Sequence, residues 1–187
     1  TSAGNVTFGS ATPNADGLTI SGGAVTIDTS SAVGATVGVV TANAAVTLQS
    51  NLTISAGDSN IVLNGTIDGG YALTLNSNAT THINGVIGAT PLASVTTDDA
   101  SGVADVTDIG ASISTSGNQT YNDAVLLNAN VVLTGAGVID FKQTVNGGHN
   151  LTLAGSGSAV VRGNVGNSAT LGDDAGASLL LNMSGGM

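Results

Sequence analysis

An all-β fold is predicted for this 187-residue chain: a parallel β-helix, or β-solenoid, of about 20 residues per coil and roughly nine coils. Three observations predict it: a composition hostile to helices, short apolar triplets at regular spacing, and long internal repeats. Only 7% of residues are charged and 2% are aromatic, and the acid consists of twelve Asp with no Glu, against Lys142 and Arg162. Losing Glu, Lys and Arg together removes the good helix formers, while Val, Thr, Ile, Gly, Asn and Ser favour strands and turns. Almost no helix is expected.

The triplets place two apolar side chains on one face and Thr or Val on the other, the period-two signature of a short strand. Val6/Phe8, Val25/Ile27 and Val46/Leu48 follow one another at 19 and 21 residues; Leu52/Ile54 leads to Leu73/Leu75 at 21, and Val131/Leu133 to Leu151/Leu153 at 20. Between them lie NG, DGG, NGG, GSGS and SGG, whose Gly and Asn tolerate positive φ and so mark turns. Pro13 and Pro91 are placed in turns too, since proline cannot donate to a strand ladder.

The longest repeat pairs TIDGGYALTL (66–75) with TVNGGHNLTL (144–153), identical at six of ten positions and 78 residues apart. INGVIG (83–88) faces VRGNVG (161–166) at the same offset, and AVTLQSNLTI (45–54) faces AVLLNANVVL (124–133) at 79. A third copy, NVTFGS and GLTI, matches NIVLNG and ALTL at an offset of 55. The chain therefore reads as one repetitive domain, 1–187, with copies near 5–59, 60–137 and 138–187. The offsets 78 and 55 differ by 23, which reads as one coil gained or lost. A solenoid tolerates that because each coil touches only its neighbours. A jelly-roll-like β-sandwich filament subunit is the alternative fold, and the indel disfavours it.

Net charge is −10. Nucleic acid is excluded as a partner, because neutralising phosphates needs clustered Lys and Arg, and an anionic membrane surface is disfavoured for the same reason. No apolar run approaches membrane-spanning length, so no membrane insertion is expected. There is no cysteine, hence no disulfide or thiolate metal site.

The runs SISTSGNQTYNDAVLLNANVVLTGAGVIDF (112–141) and TVNGGHNLTL resemble the repeats of large bacterial surface and secreted proteins of the filamentous-haemagglutinin-like adhesin class, also described as β-strand-repeat surface proteins. The resemblance implies an extracellular, cell-surface location, a right-handed parallel β-helix, and a structural or adhesive role. Sequence alone does not set the handedness.

Candidate chemistry is sparse. Asp98-Asp99 and Asp173-Asp174 are paired acids, with Asp105 and Asp108 beside the first pair; such clusters serve as acid and base in β-helix polysaccharide enzymes, or as calcium ligands. The two pairs recur in comparable contexts, SVTTDDASG and ATLGDDAGAS, which fits turns better than one active site. Such enzymes also need basic and aromatic groups that this chain lacks. No catalytic residue and no cofactor are assigned; calcium at Asp98, Asp99, Asp173 and Asp174 is the one candidate metal site. His149 stands where the twin has Tyr71, and neither it nor His82 has a second ligand at metal spacing. Lys142 and Arg162 are expected to pair locally with Asp. Seven N-x-S/T sequons begin at Asn5, Asn51, Asn64, Asn78, Asn118, Asn150 and Asn182.

The functional expectation is a non-enzymatic extracellular structural protein. Its first strand-like phrase, NVTF, and its last, ASLLLNMSGGM, read as terminal coils without polar caps, so the partner expected is itself, stacked head to tail into a filament or surface layer. The alternative is a repeat segment of a large secreted adhesin, with neighbouring repeats as partner and a cell-surface or glycan contact on a lateral face.

Overall fold

The computed structural model describes residues 39–97, 105–172 and 178–185 in full, together with the backbone of Val6–Phe8 (β1), Leu18–Ile20 (β2) and Val25–Asp28 (β3). The next strands are Val40–Ala42 (β4), Val46–Leu48 (β5), Leu52–Ser55 (β6), Ile61–Leu63 (β7), Ile67–Asp68 (β8), Ala72–Asn76 (β9), Thr80–Ile83 (β10), Ile87–Leu92 (β11) and Ser94–Thr97 (β12). After them come Val106–Ile109 (β13), Ile113–Thr115 (β14), Gln119–Tyr121 (β15), Ala124–Leu127 (β16), Val131–Gly135 (β17), Val138–Phe141 (β18), Val145–Asn146 (β19), Leu151–Gly155 (β20), Ser158–Val161 (β21) and Leu179–Met183 (β22). No described residue is helical.

These strands form three parallel sheets, in the orders β1-β4-β7-β10-β13-β16-β19, β2-β5-β8-β11-β14-β17-β20-β22 and β3-β6-β9-β12-β15-β18-β21. Every third strand returns to the same sheet, so the fold is a three-sided parallel β-solenoid. The coil length is about 21 residues: Leu52 pairs with Leu73, 21 positions on. A jelly roll would require antiparallel pairing, and the described strands have none. The stack is seven or eight strands deep among the described residues, so nine coils are not reached. Several steps are long: Val6 pairs with Val40, Val25 with Leu52, and Leu151 with Leu179, separations of 34, 27 and 28. The extra residues lie in excursions between strands.

Burial follows the alternation. Val46, Leu48, Leu52, Ile54, Leu73, Leu75, Val131, Leu133, Leu151 and Leu153 all lie in one continuous buried core. Each stacks on an equivalent in the next coil, as Leu52 on Leu73 and Leu133 on Leu153, a geometry that suits branched aliphatic side chains. The triplets beginning at Val6, Val25 and Val46 are not consecutive rungs, however. They belong to β1, β3 and β5, in three different sheets.

The long repeat is likewise out of phase with the coil. Its first copy runs through β8 and β9, in the second and third sheets; its twin runs through β19 and β20, in the first and second. The offset is eleven strands (19 − 8 and 20 − 9), four coils less one side. Seventy-eight residues over eleven strands is about seven per side, and three such sides make the coil. The difference of 23 between offsets is therefore not one added coil: the 55-residue offset carries β1 to β7, within one sheet, but β2 to β9, between two. The three sides are quasi-equivalent, and the sequence repeats by side.

Pro91 lies within β11, not in a turn between elements. Ile87 pairs with Ile113 but Leu92 with Thr115, so four residues on β11 stand against one on β14. Exposed Pro91 sits in that bulge, where no ladder donor is needed. Pro13 lies outside the described residues.

Candidate functional site

The twin corners show what the conserved phrase builds. In each, an apolar residue points inward (Ile67, Val145) and is followed by a polar one whose side chain bridges to the next coil: Asp68 Oδ1 accepts from the Thr90 amide at 2.9 Å, and Asn146 Oδ1 from the Ser168 amide at 3.1 Å. Glycines then turn the chain at positive φ, +117° at Gly69 and +130° at Gly147. The residue that differs most between the twins contributes its backbone: the carbonyl of Tyr71 accepts from Ala93 at 3.0 Å, and that of His149 from Gly172 at 2.9 Å. His149 is thus a corner residue in a scaffold role that Tyr71 fills equally.

The same polar bridge recurs at other corners. The side-chain oxygens of Asn51, Asn60, Ser112, Asn118 and Asn130 accept from the amides of Ala72, Thr80, Val132, Val138 and Asn150, each 20 or 21 residues ahead, at 2.8–3.1 Å. Elsewhere Asn84 donates to Asn64 and Asn64 to Asn43, both at 2.8 Å, as an amide ladder down one corner. These bonds satisfy polar groups that a turn would otherwise leave to solvent. They also occupy the sequon residues Asn51, Asn64 and Asn118, while Asn78 donates to Asp58 at 2.8 Å.

Asp98, Asp99, Asp173 and Asp174 lie outside the described residues. Asp105 and Asp108 are buried beside β13; Asp108 faces His82 Nδ1 at 3.0 Å and accepts from Asn128 at 2.6 Å, a chain of contacts crossing three coils. Among the described residues, no group of three or more His, Cys, Asp or Glu is arranged to hold a metal ion.

Both bases of the chain converge on one carboxylate. Asp140 projects from the outer face of β18 and accepts from Lys142 Nζ at 2.5 Å and, in bidentate fashion, from Arg162 Nε and Nη2 at 3.1 and 3.0 Å. Burial pushes its carboxyl up, but the Arg162 and Lys142 hydrogen bonds and charges outweigh that and hold it below the usual carboxylate range. The expected local pairing of Lys142 and Arg162 is met, and it joins two successive coils.

Sequence reasoning missed an internal polar cluster. Gln119 takes an inward position between Val95 and Ile139, in a ladder that is otherwise aliphatic. It accepts from the buried Tyr121 hydroxyl at 2.8 Å and donates to Thr134 O at 2.8 Å and Thr115 Oγ1 at 3.3 Å. Burial raises the Tyr121 phenol far above its ordinary value, so it serves only as a protonated donor. Its ring stacks on Phe141, centroids 5.0 Å apart. Alternation alone marked Tyr121 and Phe141 as inward; nothing in a lone Gln announced a core partner.

At the far end of the second sheet, β22 pairs with β20 on one side only. Its Leu179, Leu180 and Leu181 are 36%, 50% and 39% exposed, in contrast to Leu151 and Leu153 beneath them, at 2% and 0%. The described surface thus offers outward-facing polar ladders, one charge clamp and one apolar open edge. No known protein family, curated protein or solved structure matches the chain.

Proposed function

We propose that the chain is a non-enzymatic structural protein of the cell exterior, whose solenoid stacks head to tail on further copies to build a filament or surface layer. The observation that carries this reading is the open edge of β22, where three leucines stay exposed on a strand with an unpaired side. All sheets are parallel and run in the same order along the axis, so another copy's outermost strand continues the ladder without reversing direction. Repeated heterologous contacts of this kind are open-ended and give fibres. The non-enzymatic part rests on the engagement of both bases at Asp140 and of the polar corner side chains in coil-to-coil bonds, with the extracellular setting carried by the resemblance to adhesin repeats.

A second reading is favoured by the adhesin-like phrase at 112–141: the coils are a segment of a much longer secreted adhesin, and the β22 edge is covered by the next repeat. Light scattering and electron microscopy of the isolated chain test the first. Elongated oligomers that grow with concentration, and that L180K and L181K suppress, are expected. A chain that stays monomeric at high concentration overturns the stacking reading, and a natural reading frame of thousands of residues supports the adhesin.

A further inference from the structure

The outer face of the third sheet carries a feature unlike the rest of the surface. Thr26, Thr53, Thr74, Thr96 and Thr120 are successive register partners on β3, β6, β9, β12 and β15, so one threonine occupies the same outward position on five adjoining strands. The row ends where Thr120 meets Asp140 and its clamp. Outward rows elsewhere are mixed: Val62, His82, Asp108, Leu126 and Asn146 on the first sheet, Thr47 beside Asp68 on the second.

Two further observations separate this row from a plain consequence of strand preference. The hydroxyls of Thr53, Thr74, Thr96 and Thr120 make no hydrogen bond within the protein among the described residues, although all four side chains are partly exposed. Beside them, two positions along their strands, stand Ser55, Asn76 and Asn122, so the described rungs from β6 to β15 have an uncharged second column. The ladder sets successive threonines about 4.8 Å apart, and the two columns about 6–7 Å apart along the strand. Threonine is stiff at χ1, so each rung holds one hydroxyl and one methyl in a fixed place.

We infer that this face is an ice-binding surface: its threonine column orders a layer of water whose spacing continues into a growing ice crystal. The rung repeat is close to the repeat of oxygen atoms on a face of hexagonal ice. A rigid array loses little freedom on adsorption, and ordered waters cost at most about 2 kcal/mol each to immobilise. The chemistry selects water over its main rival, a crystalline polysaccharide, because sugar rings call for aromatic platforms, and the described rungs of this face carry none.

The test measures freezing hysteresis and inhibition of ice recrystallisation by the intact chain, with T74Y, T96Y and T74V on the face and T47Y on the second sheet as control. Tyr and Val both retain strand preference, and circular dichroism checks that each variant is folded. The expected result is hysteresis with faceted crystals for the native chain, unchanged for T47Y, lowered several-fold by T74Y and T96Y, and measurably reduced by T74V. A native chain without hysteresis, or activity indifferent to T74Y and T74V in folded protein, overturns the assignment. Adsorption to microcrystalline cellulose without hysteresis would replace it with polysaccharide binding. The outcome is independent of the stacking test, since the two concern different surfaces.

Discussion

Adjacent glycines in the twin corners should respond in opposite ways to the same added methyl. Gly147 adopts φ +130°, and a Cβ built there would lie 2.4 Å from the Leu127 carbonyl oxygen and 2.7 Å from the Leu127 nitrogen, backbone atoms of β16 that cannot rotate aside. Gly148, its neighbour, would meet nothing within 4 Å. For G147A, the left-handed backbone costs about 1–3 kcal/mol, and forcing β16 and β19 apart adds about 1–3 kcal/mol of overpacking, together about 2–6 kcal/mol. For G148A, lower entropy of the unfolded chain stabilises by up to about 1 kcal/mol if the alanine fits its φ, and the change is otherwise near zero. Urea denaturation of both variants, with the slope checked for constancy, gives the two free energies. The other twin repeats the contrast: Gly69 has φ +117° and the Leu48 carbonyl oxygen at 2.3 Å, whereas Gly70 is open. If G147A were as stable as G148A, or if G69A and G147A diverged widely, the claim that the two corners are one structure on different sides would fall.

Replacing Asp140 by Asn should reduce stability at neutral pH by up to about 1 kcal/mol, since its partners are substantially exposed. Because the folded carboxyl is held below its ordinary 3.8, its contribution is present above that value and lost as pH falls through the folded one, so the native and D140N unfolding free energies converge in acid. Y121F leaves Gln119 Oε1 without the donor at 2.8 Å inside the core, and should cost about 1–3 kcal/mol by thermal or chemical unfolding. If Asp98, Asp99, Asp173 and Asp174 hold calcium, a chelator lowers the melting temperature and added calcium restores it; an unchanged melting curve removes the ion from consideration.

Alternation and repetition made the architecture legible. Triplets such as Leu52-Thr53-Ile54 and Leu151-Thr152-Leu153 announce which residues face inward, and turn phrases between them set the spacing. What periodicity could not reveal is which triplet lies above which, because Val6, Val25 and Val46 look like successive rungs yet occupy three different sides. Pair spacing in sequence fixes the coil only where excursions are short, and the jump from Val6 to Val40 hides one. Pro91 was misplaced because a bulge can absorb a proline inside a strand, a possibility local propensity does not distinguish from a turn. The polar side chains were harder still. That Asn118 bridges to Val138, or that both bases meet at Asp140, depends on residues 20 or more positions apart becoming neighbours, which is a property of the stack and not of any local phrase.

The eleven-strand offset between the twin corners has a consequence for how such a chain can lengthen. If only whole coils could be copied, every duplication would have to preserve the frame of three, and a segment one side too short would turn every later residue onto a foreign sheet. Here Ile67 and Val145 are buried alike, and Gly69 and Gly147 bend alike, although they stand on different sides. The molecule therefore reads its sequence in words of about seven residues, and a miscounted word shifts the text around the axis without making it illegible.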